Sequence, residues 1–168
     1  MEKVRIYLDD VRTPHSPTNE WIEGIEEWTV VRSYDEFVEK VKEVGLENIE
    51  VISLDHDLGD TAMKEYFENV SPNYTLDYSN IHEKTGYDCA KWIVDHYYDN
   101  YVTQETRSEK KQSGILFPKI YTHSANPIGS ANIMGYVNNF LMNEGQPQTC
   151  IRVNIPHTVE KFKLKNGE

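Results

Sequence analysis

Five short apolar runs, separated by polar and helix-forming stretches, predict the strands of this chain. Apolar and β-branched residues dominate each run, and the third is nearly continuous, as in a strand that is buried on both faces. The predicted strands cover residues 4–8, 28–32, 49–54, 116–122 and 150–155.

Three helices are predicted between the strands by cap residues that precede apolar positions at helical spacing. Residues 33–36 have the form of a capping box, and the helix that follows is expected to stop at Gly45. Residues 85–88 repeat the cap pattern. Asn126 is a good N-cap, and Pro127 suits the first helical position. One side of this third helix is expected to face the core. That side consists of Ile128, Ala131, Met134, Val137 and Leu141.

The order of these elements is strand, strand, helix, strand, helix, strand, helix, strand. Strands that alternate with helices predict an α/β fold with a parallel sheet and helices on both faces. The chain of 168 residues suits one domain, 1–168. Residues 60–82 are predicted to be an insertion after the third strand, with one helical turn near 63–69, and residues 157–168 a polar tail. A further short helical turn is expected at 20–26.

The charge of the chain excludes one class of partner. Lys and Arg total 17 against 28 Asp and Glu, which gives a formal net charge of −11. Because proteins bind long nucleic acids largely by neutralising phosphates with basic side chains, non-specific binding of duplex DNA is not expected. A small nucleotide or one end of an RNA needs few contacts and remains open as a ligand. The sequence names no protein partner.

The two cysteines, Cys89 and Cys150, form no Cys-x-x-Cys pair and are expected to be small buried residues in a reducing compartment. The first residues lead directly into a strand pattern without a signal-peptide core, and no apolar run has the length of a membrane span. We therefore expect a cytoplasmic protein with no membrane association.

Polar clusters follow three of the predicted strands. The clusters are Asp9 and Asp10, then Asp55, His56 and Asp57, then His123, Ser124 and Asn126. The carboxyl ends of parallel strands meet at one edge of the sheet, where ligands of such folds bind. Each cluster alone would be an ordinary turn or helix entry, but together they predict a functional site.

The positions of these polar residues resemble those of a response-regulator receiver domain. In such domains two acidic residues after strand one and an Asp after strand three hold Mg²⁺ and accept a phosphoryl group, and a Ser or Thr follows strand four. Asp9, Asp10, Asp55 and Ser124 match these places. The Lys-Pro pair expected after strand five is absent, since Ile155 precedes Pro156. This departure argues against a phospho-accepting signalling receiver.

The sequence is more similar to the cyclic-phosphate processing receiver domain family. The resemblance lies in four stretches, 8–14 (LDDVRTP), 53–59 (SLDHDLG), 85–88 (TGYD) and 123–129 (HSANPIG). It implies a single flavodoxin-like, three-layer domain with a parallel five-stranded sheet of order 2-1-3-4-5. It also implies an activity on a cyclic phosphate.

Opening a cyclic phosphodiester requires an activated water, a proton for the leaving oxygen and stabilisation of negative charge. Imidazole titrates near neutrality, so we predict that His56 and His123 divide the acid and base tasks. Asp55 or Asp57 is predicted to orient His56. Arg12 is predicted to bind the phosphate through its planar guanidinium.

The helix that begins at Pro127 adds a predicted anion site, because its free N–H groups and dipole favour negative charge. The predicted substrate-binding residues in this region are Ser124, Asn126, Gly129 and Ser130. For Gly129, close approach of a phosphate and simple tolerance of a small residue in the first turn are equally good interpretations.

Asp9, Asp10 and Asp55 form an alternative Mg²⁺ site, because Mg²⁺ prefers oxygen ligands and clustered carboxylates repel one another without a cation. A metal-assisted route and a metal-free route both fit the sequence, and the histidine pair favours the second.

The leading hypothesis is a phosphoesterase that acts on a cyclic phosphate of a nucleotide, an RNA end or an ADP-ribose derivative. The alternatives are a non-catalytic receiver-like module that binds a ligand or partner, and a divergent phospho-accepting receiver. The two histidines argue against the first alternative and the missing lysine against the second. Within the insertion, stacking on a base and simple packing are both open for Tyr66, Tyr74 and Tyr78.

Overall fold

A computed structural model describes residues 2–14, 28–102 and 117–154 of the chain. Its five strands form one sheet in the order β2-β1-β3-β4-β5, and every neighbouring pair is parallel. This is the flavodoxin-like, receiver-type α/β fold that the sequence predicts. The strands are β1 (Val4–Leu8), β2 (Thr29–Val31), β3 (Ile49–Leu54), β4 (Lys119–Thr122) and β5 (Ile151–Arg152).

The interior strands β1 and β3 have the predicted bounds, whereas the interior strand β4 begins only at Lys119 and the edge strands β2 and β5 are shorter than predicted. An edge strand has a neighbouring strand on one side only, so the backbone hydrogen bonds at its ends are the first to be lost. The short β5 is held from outside the sheet as well. The side chain of Asn138 donates to the carbonyl of Cys150 and accepts from its amide, both at 2.9 Å.

The three helices with predicted caps begin at those caps. The Ser33 hydroxyl accepts from the amide of Glu36, and the Asn126 side chain accepts from that of Gly129. Thr85 forms a complete capping box with Asp88. The α-helices are α1 (Tyr34–Val44), α2 (Asp60–Glu65), α3 (Ser71–Asn73), α4 (Gly86–Tyr101) and α5 (Pro127–Asn143), with 3₁₀ turns at Leu46–Asn48 and Tyr78–Asn80.

The insertion is more helical than the sequence suggests. A π-helical turn, Tyr66–Val70, joins α2 to α3, so that the helical backbone runs from residue 60 to residue 73. Glu65 explains this length, because its buried carboxylate accepts from the side chains of Asn69 and Asn80 and from the amide of Asp77. The hydrogen bonds of the buried Glu65 carboxylate thereby stabilise a polar segment that looks like a loop in the sequence.

The core lies on both faces of the sheet, since Ile6, Tyr7 and Leu8 in β1 are all fully buried although their side chains alternate in direction. Helix α4 packs between α1 and α5. It buries an apolar face made of Ala90, Ile93, Val94 and Tyr97.

The predicted core face of α5 is wrong in part. Val137 and Leu141 are buried as expected, but Ala131 is exposed and Ile128 and Met134 are only half-buried. This helix is apolar around most of its circumference, so spacing alone did not select the buried stripe. The residues that fill it are Gly129, Ser130, Ile133, Val137, Phe140 and Leu141.

Both cysteines are buried and unpaired, as predicted. In the part of the chain that the structure describes, no helix combines the length and the apolar character needed to cross a membrane. The predicted helical turn at 20–26, the beginning of the fourth predicted strand at 116 and the polar tail 157–168 lie outside the described residues.

Candidate functional site

The three polar clusters predicted from the sequence begin side by side at the carboxyl edge of the sheet. Backbone hydrogen bonds continue for one residue past the strand ends. The amide of Asp9 donates to the last carbonyl of β2, that of Asp55 to the last carbonyl of β1 and that of His123 to the last carbonyl of β3. Asp55 and the residues that follow β1 and β4 are therefore neighbours in space, although more than 100 positions separate Asp9 from His123.

Asp9 is the most heavily bonded side chain of the site. Its Oδ1 accepts from the amides of Val11 (2.9 Å) and Arg12 (2.6 Å), and its Oδ2 accepts from Arg12 Nε (2.6 Å) and lies 3.2 Å from His123 Nε2. Burial by itself would raise the pKa of Asp9, but the hydrogen bond with His123 and the charge of Arg12 outweigh it and hold that pKa well below its usual value. Asp9 is thus an ionised acceptor that organises the loop after β1.

The Arg12 guanidinium lies between two acids. Its Nε bonds to Asp9, and its Nη2 lies 3.4 Å from Asp55 Oδ1. Arg32 secures the same loop, because its Nη1 donates to the carbonyls of Asp9 (3.1 Å) and Arg12 (2.6 Å). Contacts within the protein therefore fix the position of the Arg12 guanidinium without a ligand.

Asp55 is a buried acid in an unfavourable environment. Burial raises the pKa of its carboxyl well above the usual value, and the negative charge of Asp9 raises it further. Its Oδ1 accepts from the amide of His56 at 2.8 Å. A Cβ at Gly86 would lie 1.8 Å from the Asp55 carbonyl oxygen, which explains the glycine at the start of α4.

Asp9, Asp10 and Asp55 together offer a set of hard oxygen donors. One carboxylate oxygen from each lies within 4.8 Å of the others. This spacing and this chemistry fit a divalent cation such as Mg²⁺. Asp9 is the most heavily bonded of the three, with four hydrogen-bonding contacts on its two oxygens.

His56 is enclosed beneath Asp57. The imidazole is fully buried, its Nδ1 lies 2.7 Å from Asp57 Oδ1 and its Nε2 lies 2.9 Å from the Tyr78 hydroxyl. That hydroxyl also accepts from Asn132 Nδ2 at 3.0 Å, and Asn126 Nδ2 donates to Asp57 Oδ1 at 3.3 Å. A chain of polar contacts thus runs from α5 through the insertion to Asp57.

His123, like His56, has a hydrogen-bonding partner at each ring nitrogen. Its Nδ1 lies 2.7 Å from the Ser53 hydroxyl, and its Nε2 lies 3.2 Å from Asp9. The ring stacks on Tyr7 with centroids 4.2 Å apart and planes 10° apart. Both ring nitrogens of each predicted catalytic histidine therefore already have a partner in the protein.

A cleft of about 510 Å³ opens at this edge of the sheet. Its described polar lining contains four carboxylates and one guanidinium, together with a hydroxyl: Asp10, Asp55, Asp57, Asp60, Arg12 and Ser124. Met63, Tyr66 and Phe67 of the insertion form an apolar wall of the cleft, and Val11 and Ala125 complete its apolar lining. The negative charges in this cleft outnumber the positive one, which disfavours a phosphate unless a further cation is bound.

A second cleft of about 430 Å³ lies on the β5 side and shares Arg12 and Ser124 with the first. Arg152 lines it and holds the loop after β4, because its Nη2 donates to the carbonyls of Ser124 (2.9 Å) and Ala125 (3.2 Å). The loop that separates the two clefts is therefore fastened by a side chain of the last strand.

The structure brings most of the predicted site residues to one edge but does not give them equal access. Residues that line the main cleft are Asp10, Arg12, Asp55, Asp57 and Ser124, whereas those that lie behind its walls are Asp9, His56, His123, Asn126, Gly129 and Ser130. His123 lines the second cleft. A Cβ on Gly129 would lie 2.3 Å from His56 Cγ, so this glycine packs against the imidazole.

Several partners in the site were not predicted. Ser53 and Tyr7 hold His123, Asn132 and Tyr78 hold His56 from the other side, and Arg152 holds the β4–α5 loop. Ser53 was recognisable as the one small polar residue inside the apolar run of β3. Tyr78 was considered only for stacking on a base, whereas Tyr7, Asn132 and Arg152 lie within a predicted strand or helix and carried no separate signal.

Comparison with known proteins agrees with the geometry. The family model described as the cyclic-phosphate processing Receiver domain matches residues 4–139. Comparisons with curated proteins and with solved structures gave no match. The matched range contains β1 to β4, most of α5 and all three polar clusters. The chain therefore belongs to the cyclic-phosphate processing receiver domain family.

Proposed function

We propose that this protein is a phosphoesterase that opens a cyclic phosphate on a nucleotide, an RNA end or an ADP-ribose derivative. The observation that carries the proposal is the main cleft, in which Arg12 and Ser124 face Asp10, Asp55 and Asp57 at the carboxyl edge of a parallel sheet. Ligands of parallel α/β folds bind at this edge. Membership of a family described as processing cyclic phosphates supports the same reaction.

Arg12 is the proposed phosphate-binding residue. A guanidinium matches the geometry of phosphate oxygens, and Asp9 orients it through Nε. The Arg12 side chain is 14% exposed, so a phosphate in the cleft meets a charge that is largely withdrawn from water. Such an interaction is stronger than the same pair at an exposed surface.

The acidic cluster of Asp9, Asp10 and Asp55 is the proposed site of a divalent cation. The excess of carboxylates in the cleft and the raised pKa of Asp55 support this proposal, because a bound cation offsets both. When bound, such a cation polarises a phosphoryl oxygen and lowers the pKa of a coordinated water.

Asp57 is the proposed base. Its carboxylate lines the cleft, and His56 and Asn126 fix its orientation from behind. It takes a proton from water as the water oxygen bonds to phosphorus, and the same proton passes to the ribose oxygen released when the cyclic P–O bond breaks. The products are a phosphate monoester and a free hydroxyl, which balances the addition of one water.

His56 and His123 are positioning residues in this proposal. His56 holds Asp57, and His123 holds Asp9. The sequence-based hypothesis that the two imidazoles divide the acid and base tasks stays a prediction. The geometry supports the carboxylates more strongly, because they reach the cleft while each imidazole is engaged at both nitrogens.

The test is hydrolysis of 2′,3′-cyclic nucleotides and ADP-ribose cyclic phosphate with Mg²⁺ or with EDTA. We expect turnover with Mg²⁺ that EDTA abolishes. Arg12→Gln and Asp57→Asn should each lower kcat/KM by roughly 10²–10⁴-fold. Arg5→Gln is the matched control, because Arg5 lies at the other end of the sheet and pairs with the exposed Glu50.

Three results would count against the proposal in different ways. The absence of turnover on every cyclic phosphate, with retained ligand binding, would favour the non-catalytic module. Labelling by acetyl phosphate that is lost in Asp55→Ala would favour a phospho-accepting receiver. Full activity in EDTA, combined with loss of activity in His56→Ala and His123→Ala, would restore the metal-free histidine pair.

A further inference from the structure

The apolar wall of the main cleft has no role in the chemistry proposed above. Met63, Tyr66 and Phe67 form this wall, in the same cleft that Arg12 and the carboxylates line. Phe67 is 65% exposed, one of the few large apolar side chains in the described residues that the fold leaves in water. Leaving such a ring unburied forgoes stabilisation that packing would give it.

We propose that Met63, Tyr66 and Phe67 form a nucleobase subsite, so that the cyclic phosphate is carried on a nucleotide and not on a bare sugar or polyol. The inference rests on the proposed function, and it assigns the base of the proposed substrate to named residues of the same site. A base stacked on Phe67 would place its own phosphate toward Arg12, across one cleft whose volume of about 510 Å³ suits a small ligand.

The local backbone supports a binding role for this wall. Tyr66 and Phe67 begin the π-helical turn, Tyr66–Val70. Turns of this kind, inserted in α-helices, are frequent at functional sites. The buried carboxylate of Glu65 and the buried Val70 anchor the two ends of this stretch, so the residues between them are presented outward on a fixed support.

Ring geometry supports stacking. Tyr66 and Phe67 lie edge to face, with centroids 5.2 Å apart and planes 76° apart. In an edge-to-face pair one ring covers at most one face of the other, and Phe67 is 65% exposed, so a planar group can stack on its open face. Base–aromatic stacking contributes about 1–3 kcal/mol per base and tolerates any base identity.

The other two tyrosines considered for this role do not fit it. The Tyr78 hydroxyl is bonded to His56 and Asn132, and its ring stacks on Tyr87 with centroids 5.6 Å apart. Tyr74 is 74% exposed but does not line the cleft. The structure thus selects the pair at 66 and 67 from the aromatic residues of the insertion.

The experiment compares adenosine 3′-monophosphate with ribose 3-phosphate, which lacks only the base, by isothermal titration in Mg²⁺. We expect the nucleotide to bind at least tenfold more tightly. Phe67→Ala should weaken nucleotide binding about tenfold and leave ribose 3-phosphate within twofold, whereas Phe67→Trp should keep the preference. Tyr74→Ala is the control, at an exposed aromatic residue of the same insertion that does not line the cleft.

Equal affinity of the two ligands for the unmodified protein would overturn the inference. So would a Phe67→Ala variant that loses both ligands equally, or the absence of nucleotide binding. These outcomes are independent of turnover. Nucleotide preference without hydrolysis would support the subsite and refute the phosphoesterase, and hydrolysis that is equally fast on base-free cyclic phosphates would do the reverse.

Discussion

The backbone of Gly129 lies directly against the imidazole of His56, so close that a Cβ at position 129 would lie 2.3 Å from His56 Cγ. This contact joins the first turn of α5 to the loop after β3. It explains why a glycine stands in a helix that would otherwise favour a better helix former. It also holds the ring whose Nδ1 supports Asp57, so a change at position 129 should reach the candidate site through His56.

Gly129→Ala is expected to destabilise the protein by about 1–3 kcal/mol, since the added methyl forces the buried imidazole or the helix to move. The matched control is Gly135→Ala in the same helix, where a Cβ would meet nothing within 4 Å. That change should stabilise the protein by about 0.5–1 kcal/mol through helix propensity. Urea unfolding of both variants provides the measurement, and a Gly129→Ala midpoint at or above that of Gly135→Ala would contradict the prediction.

Tyr78→Phe should remove the hydroxyl that links His56 Nε2 to Asn132 Nδ2. We expect a loss of about 1–3 kcal/mol in the free energy of unfolding, because buried polar groups then lack a partner. Tyr74→Phe, at a side chain that is 74% exposed, should stay within about 0.5 kcal/mol of the unmodified protein. Chemical denaturation measures both, and equal stability of the two variants would show that the Tyr78 hydroxyl does not matter.

Mg²⁺ should stabilise the folded protein if the acidic cluster binds it. At about 100 times its Kd, a ligand specific for the folded state adds about 2.7 kcal/mol to the free energy of unfolding. Asp55→Asn should abolish this gain, whereas Glu39→Gln, at an exposed acid of α1, should keep it. Thermal unfolding in EDTA and in increasing Mg²⁺ measures the effect without any substrate. A gain of the same size in Asp55→Asn would place the ion elsewhere.

The stability of the site should depend on acid pH through Asp9. The pKa of Asp9 is lower in the folded protein than in the unfolded chain, where it is about 3.9. Ionised Asp9 therefore stabilises the fold above about pH 4, and this contribution is lost as the pH falls further toward the folded pKa. Asp9→Asn should cost about 3–5 kcal/mol at pH 7, because it leaves Arg12 and His123 without their acceptor, and the difference should narrow below about pH 4.

Urea unfolding in EDTA at pH 7, 4 and 3 tests the Asp9 prediction. Asp95→Asn, at an exposed acid of α4, is the control and should differ little from the unmodified protein at each pH. A difference between Asp9→Asn and the unmodified protein that stays constant with pH would mean that the ionisation of Asp9 does not stabilise the fold.

The sequence by itself determined the order of the strands and helices and the edge of the sheet at which the three polar clusters lie. Apolar runs, cap residues and the rule that parallel strands end together predicted β1 and β3 with their bounds and the starts of α1, α4 and α5. They also placed Asp9, Asp55 and His123 beside one another, as the backbone hydrogen bonds show. These features follow from local residue preferences and from the order of strands and helices, and both can be recognised in the sequence.

Only the tertiary structure decided which of these residues reach the cleft. His56 and Asp57 are adjacent in the chain, yet the imidazole of His56 is fully buried whereas the side chain of Asp57 lines the cleft. The difference arises from Tyr78 and Gly129, which enclose the imidazole from two remote segments. Access, burial and hydrogen-bond partners depend on packing between distant parts of the chain, and no single stretch of sequence contains that information.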